Sequence, residues 1–493
     1  MPRLGDLLID VASPTYVECS PDTDIAAVRT DSRKVGAGDL FVAIRGQTRD
    51  AHDFVPAVRD GGVAVVVVER ARIASGPRVE VDDTGAALPT IAANAYDHPG
   101  EHLTLAGVTG TNGKTTTAHL VGAILSTAGK LHARLGTTGN WIVDHEDTAS
   151  FTTPFPLELQ TLLADARARG ATHGVMEVSS HALAQGRARP LKFAAVGMTS
   201  FSQDHLDFHP TMEDYLAAKC RLAAEHLRAD GVAVAAVDGQ PAAARFLAAA
   251  GSARRWRASR GEDATAEIRL SSLQESAAGM TATLHTPAGD LSLRTPMVGH
   301  FNLDNLMVAT GLALGLGVAL ADIETALANT RGAPGRLERV AVDGVAGPQV
   351  LVDYAHTPDA ALRAIAAARR VTQGRLVVLL GCGGDRDRTK RPQMGRVAAE
   401  GADHFWATSD NPRTEDPERI LDDMLAGVPE SERGHVTRRV DRASAIAEAV
   451  EGASEDDLVL ILGKGHEDYQ ILGTTKIHFD DREHAAQALR RRT

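Results

Sequence analysis

The chain has 493 residues, which at about 150 residues per domain implies roughly three domains. Its 52 Lys and Arg against 64 Asp and Glu give a formal net charge of −12, which argues against general binding to nucleic-acid phosphates but leaves room for a local basic pocket. Three widely spaced cysteines, Cys19, Cys220 and Cys382, exclude a disulfide scaffold and a Cys-x-x-Cys zinc site. Residues 1–14 carry Asp6 and Asp10 inside their apolar stretch, so they lack a signal-type core, and no run approaches the about 18 apolar residues of a membrane span. The expectation is a soluble, cytoplasmic, monomeric protein of several domains, with no nucleic-acid or membrane partner.

In chain order, β-branched and apolar runs alternate with Ala-rich helical stretches. Residues 63–68 read as a strand, and residues 103–108 as a second that runs into a glycine-rich segment. Helical patterns follow at 116–128, 157–169 and 212–227, then a strand at 232–237. Residues 267–294 alternate Thr, Leu and Ser between glycine turns, the pattern of a small antiparallel excursion. A helix at 359–370 and strands at 376–380, 404–408 and 458–462 complete the series. Continuous apolar runs suit strands covered on both faces of a parallel sheet, and strand–helix alternation predicts an α/β fold. Turn-rich Asp97-His-Pro-Gly100 and Arg331-Gly-Ala-Pro-Gly335 mark boundaries, dividing the chain into domains 1–100, 101–333 and 334–493.

Gly107-Val-Thr-Gly-Thr-Asn-Gly-Lys114-Thr115-Thr116 lies between a strand and a helix. Backbone amides in such a turn can cradle phosphate oxygens, and the helix amino terminus adds partial positive charge. Lys114 is suited to neutralise β/γ-phosphates and Thr115 to place a hydroxyl on Mg²⁺. The Gly107 to Gly113 spacing is one residue longer than the usual phosphate loop. In this form the segment Gly110-Thr111-Asn112-Gly113-Lys114-Thr115 resembles the nucleotide loop of the Mur ligase family, ATP-dependent amide-forming enzymes that include the folylpolyglutamate synthetases. The resemblance extends over nearly the whole chain. It implies a central P-loop-type parallel-sheet ATPase domain, a small amino-terminal α/β domain that binds the UDP end of the substrate, and a carboxy-terminal Rossmann-like α/β domain for the amino acid.

Further motifs gain roles only through the resemblance. Glu177, in Met176-Glu-Val-Ser-Ser-His181, is from its residues alone either a carboxylate for Mg²⁺ or a solvated loop acid; the family makes it a metal ligand. His205, in a cluster from Asp204 to His209, matches a second magnesium ligand. Lys219, by itself an ordinary solvated helix-face lysine, matches the family lysine that is carbamylated and becomes an anionic ligand. Lys114, Glu177, His205 and Lys219 are thus the expected catalytic set, and Thr116 completes the ATP loop. Thr30 and Ser32, in Thr30-Asp-Ser-Arg33, match the uridine end; Thr152, Thr153, Ser179, Gln185 and Arg187 match positions that hold the nucleotide-sugar peptide. Phe151 stands where relatives often carry a polar residue. Asn302, Arg336, Asp353 and His356 match nucleotide-contacting segments.

In the last third, three strand-like runs end in polar loops: Gly381-Cys-Gly-Gly-Asp-Arg386, Ser409-Asp410-Asn411-Pro412-Arg413 and Gly463-Lys-Gly-His-Glu467. Ligands of open α/β sheets bind outside the carboxyl ends of strands, so these loops can converge on one pocket. Arg386 and Arg413 can each fork a carboxylate, and Glu467 can accept from an ammonium. Asp410-Asn-Pro-Arg413 resembles the signature of family members that add meso-2,6-diaminopimelate, whose distal carboxylate lysine and ornithine lack. The implied reaction uses ATP and Mg²⁺ to activate a UDP-N-acetylmuramoyl dipeptide carboxylate as an acyl phosphate, which the diaminopimelate amine then attacks. Use of lysine or ornithine, a folylpolyglutamate synthetase, and a P-loop NTPase switch that needs no amino acid are the alternatives.

Overall fold

The computed structural model describes residues 1–46, 49–73, 75–276 and 279–492. Its contacts divide the chain into two compact units. One is made of 1–269, 286–288 and 307–323, the other of 270–285, 289–306 and 324–493.

The first unit opens with β1 (Thr15–Val17), β2 (Val28–Arg29), β3 (Leu40–Val42), β4 (Val65–Glu69) and β5 (Arg78–Val81), ordered β1-β5-β4-β3-β2. Only β1 runs antiparallel to its neighbour. The expected strand at 63–68 is thus displaced two residues at its start. Val65 to Val68 are fully buried because both faces of the sheet are covered, one packing Leu4, Leu7 and Ile91, the other Phe41 and Val58.

The same unit continues with β6 (Thr104–Thr109), β7 (His132–Gly136), β8 (Gly139–Ile142), β9 (His145–Asp147), β10 (His173–Glu177), β11 (Phe193–Met198), β12 (Leu227–Ala236) and β13 (Arg254–Ser259). They are ordered β13-β12-β11-β6-β10-β7-β8-β9, with β13 through β7 parallel. The helix Lys114–Thr127 begins two residues earlier than the apolar pattern suggests, since its first turn closes the glycine-rich loop. A core around Phe193, Leu222 and Phe246 holds this sheet. Because β6, β10 and β11 are parallel neighbours, the residues that follow all three emerge at one edge.

The chain then enters β14 (Ile268–Ser276), β15 (Gly279–Thr286) and β16 (Gly289–Thr295), successive neighbours in one sheet. The two-residue link between β15 and β16 permits only an antiparallel return, in keeping with the expected excursion. In the second unit β17 (Glu338–Val340), β18 (Gln349–Asp353), β19 (Leu376–Leu380), β20 (His404–Ala407), β21 (Val436–Arg438) and β22 (Leu458–Leu462) form a sheet ordered β17-β18-β22-β19-β20-β21. All pairs but β17·β18 are parallel. Every residue of β19 and β22 is buried, as expected of central strands with helices on both faces. A short hairpin, β23 (Tyr469–Leu472) and β24 (Thr475–His478), follows β22.

Candidate active site

The glycine-rich loop is built at the end of β6. Gly110 has φ of 146°, and a Cβ there would lie 2.1 Å from Thr199 Oγ1, so only glycine fits. The loop is stitched to the segment after β11: Thr111 N donates to Ser200 O (2.9 Å), Asn112 N to Ser200 Oγ (3.0 Å), and Thr111 Oγ1 to Ser202 O (3.1 Å). Gly113, with φ of 88°, turns the chain into the helix, whose first residues are Lys114, Thr115 and Thr116. Lys114 Nζ donates to Gly110 O (2.8 Å) and Thr111 O (3.0 Å), so its charge lies over the loop.

Glu177 ends β10 and is buried, not solvated. Its carboxylate accepts from Thr115 Oγ1 (3.0 Å), Thr137 N (2.8 Å) and Thr137 Oγ1 (3.1 Å). Space for it exists because residue 136 is glycine: a Cβ on Gly136 would lie 2.2 Å from Glu177 Oε1. Gly136 and Thr137 escaped the sequence reading, and their short side chains carry no chemical signal of their own.

The reading of Lys219 as a solvated helix-face residue is corrected by the structure, which buries it to 1% exposure. The helix Met212–Glu225 packs over β6 and turns this residue inward. Its Nζ donates to Gly110 O (2.9 Å), the same carbonyl that Lys114 uses, and sits 4.3 Å from the centre of the Tyr215 ring. Burial, and after it the charge of Lys114, pushes the Lys219 ammonium well below its ordinary value. His205 has φ of 54° and lies 4.7 Å from His181, ring centre to ring centre; burial lowers its pKa too.

His205 also lines a cleft of about 930 Å³ inside the first unit, with Thr152, Thr153, Ser179, Gln185 and Arg187. Thr153 Oγ1 donates to Glu177 O (2.9 Å) and accepts from Ser179 N (3.0 Å). Thr137 Oγ1, which donates to Glu177, also lies 3.0 Å from Thr152 Oγ1, whose hydroxyl can donate to it, so the cleft wall and the buried acid are directly linked. Arg187 is held by Gln185 Oε1 (2.7 Å), and its Cζ lies over Phe155, 3.9 Å from the ring centre, with Phe151 at 5.7 Å. Phe151 and Phe155 stay about half exposed in the cleft, an aromatic patch that periodicity does not reveal. Thr30 and Ser32 do not line this cleft. They follow β2, where Arg33 is tied back to Asp31 (2.8 Å).

In the second unit, the loops after β19, β20 and β22 meet. Asn411 Nδ2 donates to Glu467 Oε2 (2.9 Å), and Lys464 Nζ reaches Glu467 Oε2 (3.2 Å) and Asn411 Oδ1 (3.3 Å). Glu467 therefore already accepts from an ammonium, that of the fully buried Lys464, whose role the sequence reading missed. Arg413 has φ of 52°, and its Nη1 donates to Gly384 O (2.8 Å). Close contacts lock the loops: a Cβ on Gly384 would lie 1.9 Å from Pro412 O, and one on Gly463 2.6 Å from Asp410 Oδ2. Arg386 shares the Gly383 turn with Arg413 but is exposed, its Nη1 on Asp385 O (3.0 Å).

Nearby, Arg336 lies 4.9 Å over the Tyr354 ring, and its buried Nε has no hydrogen-bond partner among the described residues. Asp353 is buried, and burial raises its pKa; its two oxygens accept from Leu337 N and Ala355 N (both 2.8 Å), bracing the turn. His356 Nδ1 is 2.9 Å from Tyr354 O. Asn302 is buried, with Nδ2 on Val298 O (2.8 Å).

A glycine-built loop beside a buried acid and lysine, with a separate α/β sheet whose loops gather complementary charges, is an arrangement suited to an enzyme of the α/β class. Comparison with known proteins places it within that class. Models of the Mur ligase family match residues 24–99 (the family catalytic domain), 108–313 (the middle domain) and 335–465 (the glutamate ligase domain). A protein of Trichormus variabilis, UDP-N-acetylmuramoyl-L-alanyl-D-glutamate–2,6-diaminopimelate ligase, is 46% identical over 504 aligned residues and 99% of both chains. A Gloeobacter violaceus protein of the same name is 47% identical over 96% of this chain and 95% of its own. A solved structure of a ligase of that name superposes with a TM-score of 0.72 at 33% identity, covering 96% of this chain and 97% of the other. The chain belongs to the Mur ligase family and is a ligase.

Proposed function

We propose that this protein uses ATP to join meso-2,6-diaminopimelate to the glutamyl carboxylate of UDP-N-acetylmuramoyl-L-alanyl-D-glutamate, a cytoplasmic step of peptidoglycan synthesis carried out by a monomer. The observation that carries this reading is identity of 46% over essentially the whole chain with ligases named for that substrate pair. The meeting of the loops that carry Asp410, Asn411, Arg413 and Glu467 supports the choice of amino acid. Domains 1–100, 101–333 and 334–493 are assigned to the UDP end of the substrate, to ATP and to the amino acid.

Residues 110–116 hold the ATP phosphates, with Lys114 swinging from the carbonyls of Gly110 and Thr111 to the β/γ-phosphates. Asn302, Arg336, Asp353 and His356 are assigned to the nucleotide. The donors Thr115 Oγ1 and Glu177 are hard oxygens within 3.0 Å of each other, which suits Mg²⁺. Mg²⁺ takes further oxygen ligands beside such a pair, from water, phosphate or a second anionic side chain. A carbamate on Lys219 is assigned as one such ligand: the neutral amine of a buried lysine has the free lone pair that adds to CO₂, and an N–H proton is released to water as the N–C bond forms. Mg²⁺ when bound neutralises charge on the transferring phosphoryl group, and His205 is assigned to a second ion.

The glutamyl carboxylate attacks the γ-phosphorus, ADP leaves, and an acyl phosphate forms. The amine of diaminopimelate then adds to the acyl carbon, and phosphate departs. Thr152, Thr153, Ser179, Gln185 and Arg187 position the dipeptide end in the cleft, with Thr30 and Ser32 assigned to uridine. Arg386 and Arg413 take carboxylates of diaminopimelate, and Glu467 and Asn411 orient its amino group. The chain's contribution is positioning and charge neutralisation.

The test is phosphate release from ATP with the nucleotide-linked dipeptide, adding meso-diaminopimelate, lysine or ornithine in turn. Release and tripeptide formation with diaminopimelate alone is the expected result. Preference for lysine or ornithine overturns the part given to Arg413, and release indifferent to every amino acid overturns the ligation itself.

A further inference from the structure

Outside the residues assigned so far, the second unit contains a buried ion pair of unusual placement. Arg442 opens the helix Arg442–Glu451, and Asp481 opens the helix Asp481–Arg490. Both side chains are fully buried. Arg442 Nε donates to Asp481 Oδ1 (2.7 Å) and Nη2 to Oδ2 (2.6 Å), a two-pronged pair. The same guanidinium donates to two carbonyls, Nη1 to Ser409 O (3.2 Å) and Nη2 to Leu462 O (3.0 Å).

Ser409 immediately precedes Asp410, and Leu462 immediately precedes Gly463. Their strands, β20 and β22, are not neighbours, because β19 lies between them. Each is laddered to β19 and not to the other, so no ladder bond joins the two loops themselves, and Arg442 spans from one to the other beside the Asn411–Glu467 and Lys464–Asn411 contacts. Stability alone does not call for such a group: apolar residues of similar volume often replace a buried ion pair at no cost. A planar cation with fixed donor directions does what they cannot, which is to hold two carbonyls at a set distance.

We propose that Arg442, oriented by Asp481, is a positioning residue of the amino-acid pocket, fixing the loop of Asn411 and Arg413 against the loop of Glu467 and so setting selectivity for the diamino acid. This rests on the function proposed above. The test compares wild type with the apolar pair R442M/D481L and with R442K, which keeps the charge but loses the planar fork. Because a misplacement of about 1 Å can cost about 100-fold, the apolar pair is expected to raise KM for diaminopimelate at least about tenfold. Its preference over lysine should fall by a similar factor, with KM for ATP and for the nucleotide substrate changed less than about twofold. R442K is expected to show the same defect, smaller. Circular dichroism checks that the variants fold; if the apolar pair does not, R442K decides by the same criteria. Unchanged KM and preference, or all three KM values moving together, overturns the proposal. Wild type that prefers another amino acid sinks the choice of diaminopimelate, while the clamp is still read as raised KM for the amino acid used. Wild type that responds to no amino acid sinks both.

Discussion

At the scale of single residues, the glycine-rich loop shows two lysines sharing one carbonyl. Lys114 and Lys219 both donate to Gly110 O, and one of them is fully enclosed. Such an arrangement is stable when one ammonium loses its proton or its charge is reversed by modification. Lys219→Met removes the proposed carbamate while keeping the volume. It is expected to lower kcat by at least about 100-fold with little change in melting temperature, read by phosphate release and thermal melting. Gly136→Ala tests Glu177 indirectly, because the new Cβ occupies the place of Oε1. The expected cost is about 1–3 kcal/mol of stability, with a larger loss of turnover than of folding. Arg413→Ala leaves a distal carboxylate unpaired and is expected to reduce kcat/KM for diaminopimelate by about 100- to 10⁴-fold while raising that for lysine relative to it. Equal losses for both amino acids count against a distal-carboxylate role.

At the scale of elements, the strand-to-loop junctions concentrate the chemistry, and they also carry the pH dependence. His466 follows β22, with its ring 5.0 Å from Tyr354. Burial, and then the nearby Arg336 and Arg482, lowers its pKa from 6.5 to about 4. The folded state thus keeps the ring neutral. Stability is full above pH 6.5 and falls as the pH drops from 6.5 toward 4, where the unfolded chain takes the proton first. His466→Gln is expected to flatten that limb of the melting temperature against pH. A second carboxylate limb lies lower. Burial alone would raise Asp457, but hydrogen bonds from Arg375 and from the Ser454 and Arg375 amides outweigh it and hold the group at about 2. Its contribution is present above 3.8 and lost as the pH falls through about 2.

At the scale of the whole molecule, the two units have separate cores, one around Phe193 and the other around Phe405. Calorimetry is therefore expected to resolve more than one transition. Phe193→Ala and Phe405→Ala should each cost about 3–5 kcal/mol in its own transition and leave the other in place. A single transition moved equally by both variants argues against independent cores. No helix among the described residues is long and apolar enough to cross a membrane, and light scattering is expected to report the 52.0 kDa of one chain.

The amino-acid sequence by itself determined the strands, within a residue or two for 376–380, 404–408 and 458–462, because buried parallel strands are continuous apolar runs with no competing pattern. It also marked the glycine-rich loop between β6 and the helix Lys114–Thr127, since glycine spacing and a strand running into a helix are local features. The longer strand Leu227–Ala236 went partly unread because Arg228 and Asp230 interrupt its first four residues, none of which is fully buried, and exposure does not forbid pairing. Tertiary structure alone decided the fate of Lys219, Lys464, Arg442 and Asp481. A charged side chain carries the same sequence signal on a wet face as in a closed interior, and only the packed surroundings set its desolvation, its partners and its charge. It likewise decided which loops meet. Strand order, with β22 between β18 and β19, is a long-range property that no window of sequence contains.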